Sequence, residues 1–115
     1  MKTRKELKEA YKQRETRKGV FQIRNLVNDM RLIDTSTDID AKWNRHQAQL
    51  RFGDHRTTSF QQAWNQYGAD KFVFEVLSEL EVEEGEAVDY TKELKVLEEM
   101  VLEEMDLGDG MLYNR

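Results

Sequence analysis

The chain has no cysteine, so it forms no disulfide and offers neither a thiol nucleophile nor a thiolate metal site, a composition suited to a reducing cytosol. No apolar run approaches the roughly eighteen residues of a membrane-spanning helix. The first eighteen residues are too polar for a signal peptide, and the expectation is a cytoplasmic protein with no membrane partner. There is no glycine loop to cradle phosphates, no His-Glu-x-x-His zinc helix, and no serine with a convincing set of catalytic partners. Internal repeats and low-complexity segments are also absent. What remains is 115 residues, 38% hydrophobic. That is enough for one core burying about two-thirds of the extended-chain surface.

The formal charge is −5, divided unevenly. Residues 1–56 sum to +6 and residues 57–115 to −11. The first half suits phosphates and the second repels them; the plain alternative is two solvated faces that satisfy each other.

Residues 3–17 contain strong helix formers without Gly or Pro, and Leu7, Ala10 and Tyr11 form a thin apolar stripe. The basic residues of this segment are interleaved with Glu6, Glu9 and Glu15, several at ion-pair spacing. From Gly19 the text becomes β-like. Phe21 and Ile23 share a strand face, Asn28-Asp29 marks a turn, and Arg31 to Thr35 returns as a second strand. Ser36, Thr37 and Asp38 supply N-cap chemistry for a helix with Ile39, Trp43 and Leu50 on its apolar face, ending near Gly53. Phe60, Ala63, Trp64 and Tyr67 mark a second helix stopped by Gly68, and Phe72 to Leu77 reads as a largely buried third strand. The acidic stretch from Glu79 to Asp89 reads as a solvated loop. Tyr90, Leu94, Leu97, Val101 and Met105 then fall within about 80° on a helical wheel, so that face packs on the sheet. The expected fold is α+β: a small three-stranded, mainly antiparallel sheet flanked by helices, with an extra N-terminal helix.

Five segments carry a family resemblance: Gly19-Val20-Phe21-Gln22-Ile23-Arg24-Asn25, Leu32-Ile33-Asp34-Thr35-Ser36, Trp43-Asn44-Arg45-His46, His55 through Trp64-Asn65-Gln66-Tyr67-Gly68, and a late helix with Glu98 followed by Tyr113-Asn114. Together they resemble the GIY-YIG nuclease family, over roughly Gly19 to Asn114. The resemblance implies a GIY-YIG-like domain over residues 19–115, with residues 1–18 as a basic helical extension. It also implies phosphodiester cleavage with a divalent metal, Mg or Mn, held by a helix glutamate. Tyrosines and an arginine would surround the attacked phosphate. A hard ion takes oxygen ligands, and charge building on phosphoryl oxygens calls for cations or hydroxyls.

Carried onto this sequence, the family glutamate corresponds to Glu98, which lies about 80° from Tyr90 on the wheel while Glu99 lies near 180°. Its alternative is a boundary glutamate on an acidic helix. Phe21 stands at the tyrosine of the GIY triplet and Leu32 at the tyrosine of YIG, so both hydroxyls are missing. Asp34 replaces the YIG glycine and puts a carboxylate where a phosphate would lie. The family arginine corresponds to Lys42, which keeps the charge without the planar fork. Arg45, three residues on, either replaces that arginine or pairs with Asp38 or Asp40. His46 and His55 fall at family histidines and Asn114 at a family asparagine; each is a candidate catalytic group or a purely structural one. Asp34 either joins Glu98 in a two-carboxylate cation site or simply pairs with Lys42 or Arg31. The family site further requires Phe21 and Glu98 to converge, so the expected fold would be refuted if they lay on opposite sides of the sheet.

Three functions follow. The leading one is a nucleic-acid-binding, nuclease-like domain, favouring DNA over RNA, with cleavage weakened or lost. The others are an active Mg- or Mn-dependent endonuclease and a protein-interaction domain that uses only the fold, through a protein partner or a homodimer.

Overall fold

The alternation of Val20 and Gln22 with Phe21 and Ile23 places apolar side chains on both faces of β1 (Gly19–Asn25), and this strand occupies the centre of the sheet. The computed structural model describes residues 16–81, 90–108 and 110–114. In it, β1 pairs antiparallel with β2 (Arg31–Ser36) on one side and β3 (Phe72–Glu79) on the other. The hairpin between β1 and β2 closes with Asn25 N–H donating to the Met30 carbonyl and Asp29 N–H to the Asn25 carbonyl. Asp29 adopts φ 62°, a conformation that short polar side chains tolerate. Gly19 is required at the start of β1, because at its φ of 155° a Cβ would collide with the Ser78 carbonyl oxygen.

Helices α1 (Ile39–Phe52) and α2 (Thr58–Tyr67) cover one face of the sheet, and α3 (Thr91–Met105) covers the other. On the first face Phe21, Ile23 and Leu32 pack with Ile39, Leu50 and Phe60; on the second Val20 and Ile33 pack with Val101, Leu97 and Met105. Asp38 caps α1 by accepting from Ala41 N–H at 3.1 Å, and Gly53 ends it in the left-handed region at φ 79°. Replacing Asp38 by alanine is expected to cost about 1 kcal/mol, read as a lower urea midpoint with unchanged slope.

These are the strands and helices expected from periodicity, in a mixed α+β arrangement with an antiparallel sheet. Three details differ. A short 3-10 turn, Ala69–Lys71, joins α2 to β3, because Gly68 at φ 91° redirects the chain before the strand begins. β3 is half-buried along most of its length rather than largely buried, since it is an edge strand. The expected helix over residues 3–17 lies outside the described residues except for Thr16 and Arg17, which are not helical. There the Arg17 carbonyl accepts from Ile39 N–H, and its guanidinium pairs with Asp40 at 2.6 Å. Of the stretch expected as an acidic loop, Glu79 instead ends β3, and residues 82–89 lie outside the described residues.

The C-terminal segment returns to the outer edge of β2. Arg31 N–H donates to the Met111 carbonyl and Tyr113 N–H to the Arg31 carbonyl, forming a short parallel bridge. The Tyr113 ring packs on Phe60 at 5.4 Å, its hydroxyl accepts from Asn25 Nδ2 at 3.0 Å, and Asn114 is thereby held beside β2.

Candidate functional site

The helical period places Lys42, Arg45, His46 and Gln49 along one side of α1, and the register of the hairpin sets Leu32 and Asp34 of β2 against them. The loop after Gly53 adds His55, Arg56 and Thr57, and the C-terminal segment adds Asn114. These ten residues line a cleft of about 330 Å³. Lys42, Arg45, His46, His55 and Asn114 are thus brought together with Leu32 and Asp34. Phe21 does not reach the cleft. It is fully buried beneath it, its ring edge-on to His46 at 6.0 Å.

A directed hydrogen-bond chain runs under the cleft. Thr57 N–H donates to His55 Nδ1 at 3.0 Å, His55 Nε2 meets His46 Nδ1 at 2.8 Å, and His46 Nε2 meets Asp34 Oδ2 at 3.0 Å. Because His55 Nδ1 must accept, neutral His55 carries its proton on Nε2 and donates to His46 Nδ1; His46 then carries Nε2–H and donates to the carboxylate. One tautomer of each ring satisfies all four ring nitrogens. With His46 only 9% and His55 only 6% exposed, neither ring has a nitrogen left for a ligand.

Asp34 is the electrostatic centre. Besides His46 it binds Lys42 Nζ at 3.2 Å and accepts from Thr35 N–H at 2.8 Å. Burial pushes its carboxyl upward, but the His46 hydrogen bond and the Lys42 charge, with the Thr35 amide, outweigh that and hold it below the usual carboxylate range. Of the two alternatives for this residue, Lys42 is the partner; Arg31 instead pairs with Asp29 at 3.0 Å. Lys42 also donates to the Thr35 carbonyl at 3.0 Å, so its charge is turned inward. Arg45 forms no ion pair among the described residues. The expected acidic partners are engaged elsewhere, Asp40 by Arg17 and Asp38 by the α1 cap. Arg56 is likewise exposed and unpaired among the described residues.

Burial pushes the His55 imidazole down, and His46 and Arg56 push the same way. The unfolded chain therefore takes up a proton near pH 6.5 that the folded chain accepts only at lower pH. This contribution is complete above that value and is lost as pH falls below it. Thermal unfolding followed by circular dichroism is expected to show a falling Tm from pH 7 to pH 5, flattened in His55→Asn. Asp34 adds a second loss below about pH 4, again because its folded-state value is depressed.

Glu98 is half-buried on α3 and does not line the cleft. The expected convergence of Phe21 and Glu98 is not observed. Phe21 fills the face under α1 and α2, whereas α3 packs on the opposite face, against Val20 and Ile33. Asp34 and Glu98 therefore form no paired-carboxylate site in the cleft. The donors there do not fit a divalent ion: among the described residues Asp34 is the one carboxylate lining the cleft, and its oxygens are bound by a lysine ammonium, an imidazole N–H and a backbone amide. Among the described residues no group of three His, Asp or Glu side chains could hold a metal ion.

Gln49, Arg56 and Thr57 line the cleft without having been singled out from sequence. Gln49 was legible from its i+4 spacing to Arg45. Arg56 and Thr57 depend on the loop path after Gly53, which no local pattern encodes.

No family model matches the chain. It is 29% identical over 65 residues to intron-associated endonuclease 1 of enterobacteria phage T4, a match covering 56% of this chain and 26% of that protein, so the match spans about a quarter of the relative's length. Among solved structures it is similar to the catalytic domain of the homing endonuclease I-TevI, with a TM-score of 0.66 and 23% identity over 83% of this chain and 96% of that one. A mutant of the same catalytic domain gives a TM-score of 0.64 and 22% identity, over 79% and 86%. The likeness holds with Phe21 and Glu98 on opposite faces, so their convergence is no criterion of the fold. At 23% identity the likeness is one of fold: the chain has the three-stranded antiparallel sheet and flanking helices of that catalytic domain.

Proposed function

We propose that the chain binds nucleic acid, DNA in preference to RNA, through the α1 cleft, and that phosphodiester cleavage is weakened or lost. One observation carries this reading: the groups that would do acid-base chemistry are consumed internally, while Arg45 and Arg56 at the rim have no ion-pair partner among the described residues. His46 and His55 spend their ring nitrogens on each other, Asp34 and Thr57, and Lys42 is tied to Asp34. Among the described residues Arg45 and Arg56 keep whole guanidinium forks, in a cleft where the charge of Asp34 is paired with Lys42. Such forks suit phosphate oxygens, and counterion release makes the binding sensitive to salt. The position of Phe21 and Leu32 at the family tyrosines supports the loss of cleavage, since no hydroxyl is present there. Residues 1–18, rich in Lys and Arg, would add to the attraction as a basic extension of domain 19–115. A cytoplasmic location accords with the absence of cysteine.

The test is cleavage of supercoiled plasmid and of a branched oligonucleotide with Mg²⁺ or Mn²⁺, beside Glu98→Gln, with binding recorded in the same samples. Binding without product is expected. It should weaken with salt, and Arg45→Ala should lower the slope of log K against log salt by about 1. Cleavage abolished by Glu98→Gln would instead establish an active enzyme using Glu98 as metal ligand. Absence of both binding and cleavage would leave the fold serving protein interaction.

A further inference from the structure

We propose that Phe52 is a stacking platform for an unpaired nucleobase, so that the chain selects nucleic acid with single-stranded residues beside the phosphate held at Arg45 and Arg56. The inference rests on the reading of the cleft as a nucleic-acid interface and names the substrate class. Phe52 is 84% exposed, the most exposed large apolar side chain among the described residues. It belongs to neither core cluster and forms no ring pair among the described residues, so packing gives no reason for an aromatic at this position.

Its placement is directional. Arg45, Gln49 and Phe52 stand at i, i+4 and i+7 on α1, within about 60° of one another on the helical wheel. Arg45 and Gln49 line the cleft, so the stripe they share continues outward to Phe52 at the last turn of the helix. The left-handed Gly53 then turns the chain, and His55 and Arg56 re-enter the cleft wall. Apart from Gly53 and its chain neighbours, no atom lies within 4 Å of where a Gly53 side chain would begin, so the end of the helix beside Phe52 is not packed over at that point. Arg51 and Arg56 bracket the ring in sequence, with Asp54 as the one carboxylate of the segment. An aromatic face amid phosphate-binding cations matches how single strands are held, with the backbone in a basic groove and bases stacked on rings. A duplex buries its base faces against each other and offers this ring nothing comparable.

The experiment compares a single-stranded oligonucleotide with a blunt duplex of equal length, in EDTA, using the full chain and the variants Phe52→Ala, Phe52→Trp and Arg45→Ala. The single strand carries a 2-aminopurine whose fluorescence reports stacking. Wild type is expected to bind the single strand more tightly and to quench the probe. Phe52→Ala should lose about tenfold on the single strand and nothing on the duplex, Phe52→Trp should retain the preference, and Arg45→Ala should weaken both ligands. Equal binding of the two ligands by wild type, or a Phe52→Ala variant that matches wild type, overturns the proposal while leaving the cleft as an interface. So does a self-association, seen in sedimentation, that Phe52→Ala abolishes, since the ring would then serve a second copy of the chain. If wild type binds neither ligand, the reading of the cleft fails and this proposal with it.

Discussion

His46→Ala is expected to lower the stability of the chain by about 3 kcal/mol and its Tm by about 12 °C, with no nucleic acid present. The ring donates to a partly buried carboxylate and accepts from His55, so its removal strips Asp34 of a charge-assisted bond and orphans a buried N–H. Each loss is commonly worth about 1–3 kcal/mol. Water entering from the adjoining cleft recovers part of both, which is why the expected sum stays near the lower end. The lost edge contact with Phe21 adds a small packing term. His55→Ala should be partly redundant with it. In a double-mutant cycle the pair should couple by about 1–2 kcal/mol, because either substitution breaks the same chain of bonds. The measurement is urea unfolding of the two single variants and the double at pH 7.5. A His46→Ala cost below about 0.5 kcal/mol would mean that the chain of bonds stabilises little, leaving the rings available to a ligand and restoring the case for catalysis.

The fold was legible where local chemistry is stereotyped. Phe21 and Ile23 at period 2, the polar Asn28-Asp29 turn, the Asp38 cap and the glycines at 53 and 68 are signals that act within a few residues, and the elements lie where those signals put them. Part of the cleft was legible for the same reason, since Lys42, Arg45 and His46 share one helix. What escaped depends on long-range register. The bond from His46 to His55 crosses a loop whose path is set by Gly53, and the bond from His46 to Asp34 needs β2 to lie beside α1 with Asp34 facing it. The side of the sheet taken by α3 follows from no local periodicity, so the wheel position of Glu98 gave its depth but not its face. Arg56 and Phe52 were passed over because an exposed cation or ring carries no periodic signal; both matter only once Gln49, His55 and the cleft define a neighbourhood.

Asp34→Asn is expected to tighten nucleic-acid binding about 30-fold at low salt. A carboxylate about 8 Å from a bound phosphate, at an effective dielectric near 20, opposes it by roughly 2 kcal/mol. The amide removes that charge yet keeps an oxygen to accept from His46 Nε2, so the cleft retains its shape. It also weakens the hold on Lys42, whose ammonium is now shared between Asp34 and the Thr35 carbonyl and would become available to phosphate. The two effects have different signatures. Lost repulsion raises affinity at every salt concentration below full screening, whereas recruitment of Lys42 adds one ionic contact and steepens the slope of log K against log salt by about 1. Lys42→Ala in the Asp34→Asn background separates them, since it should remove the steeper slope but retain much of the gain in affinity. The same substitution should erase the stability loss assigned to Asp34 below about pH 4, because no carboxylate is left to titrate there. An Asp34→Asn variant that binds no better than wild type, with its stability intact, would place the phosphate outside this cleft and move the interface to another part of the basic half of the chain.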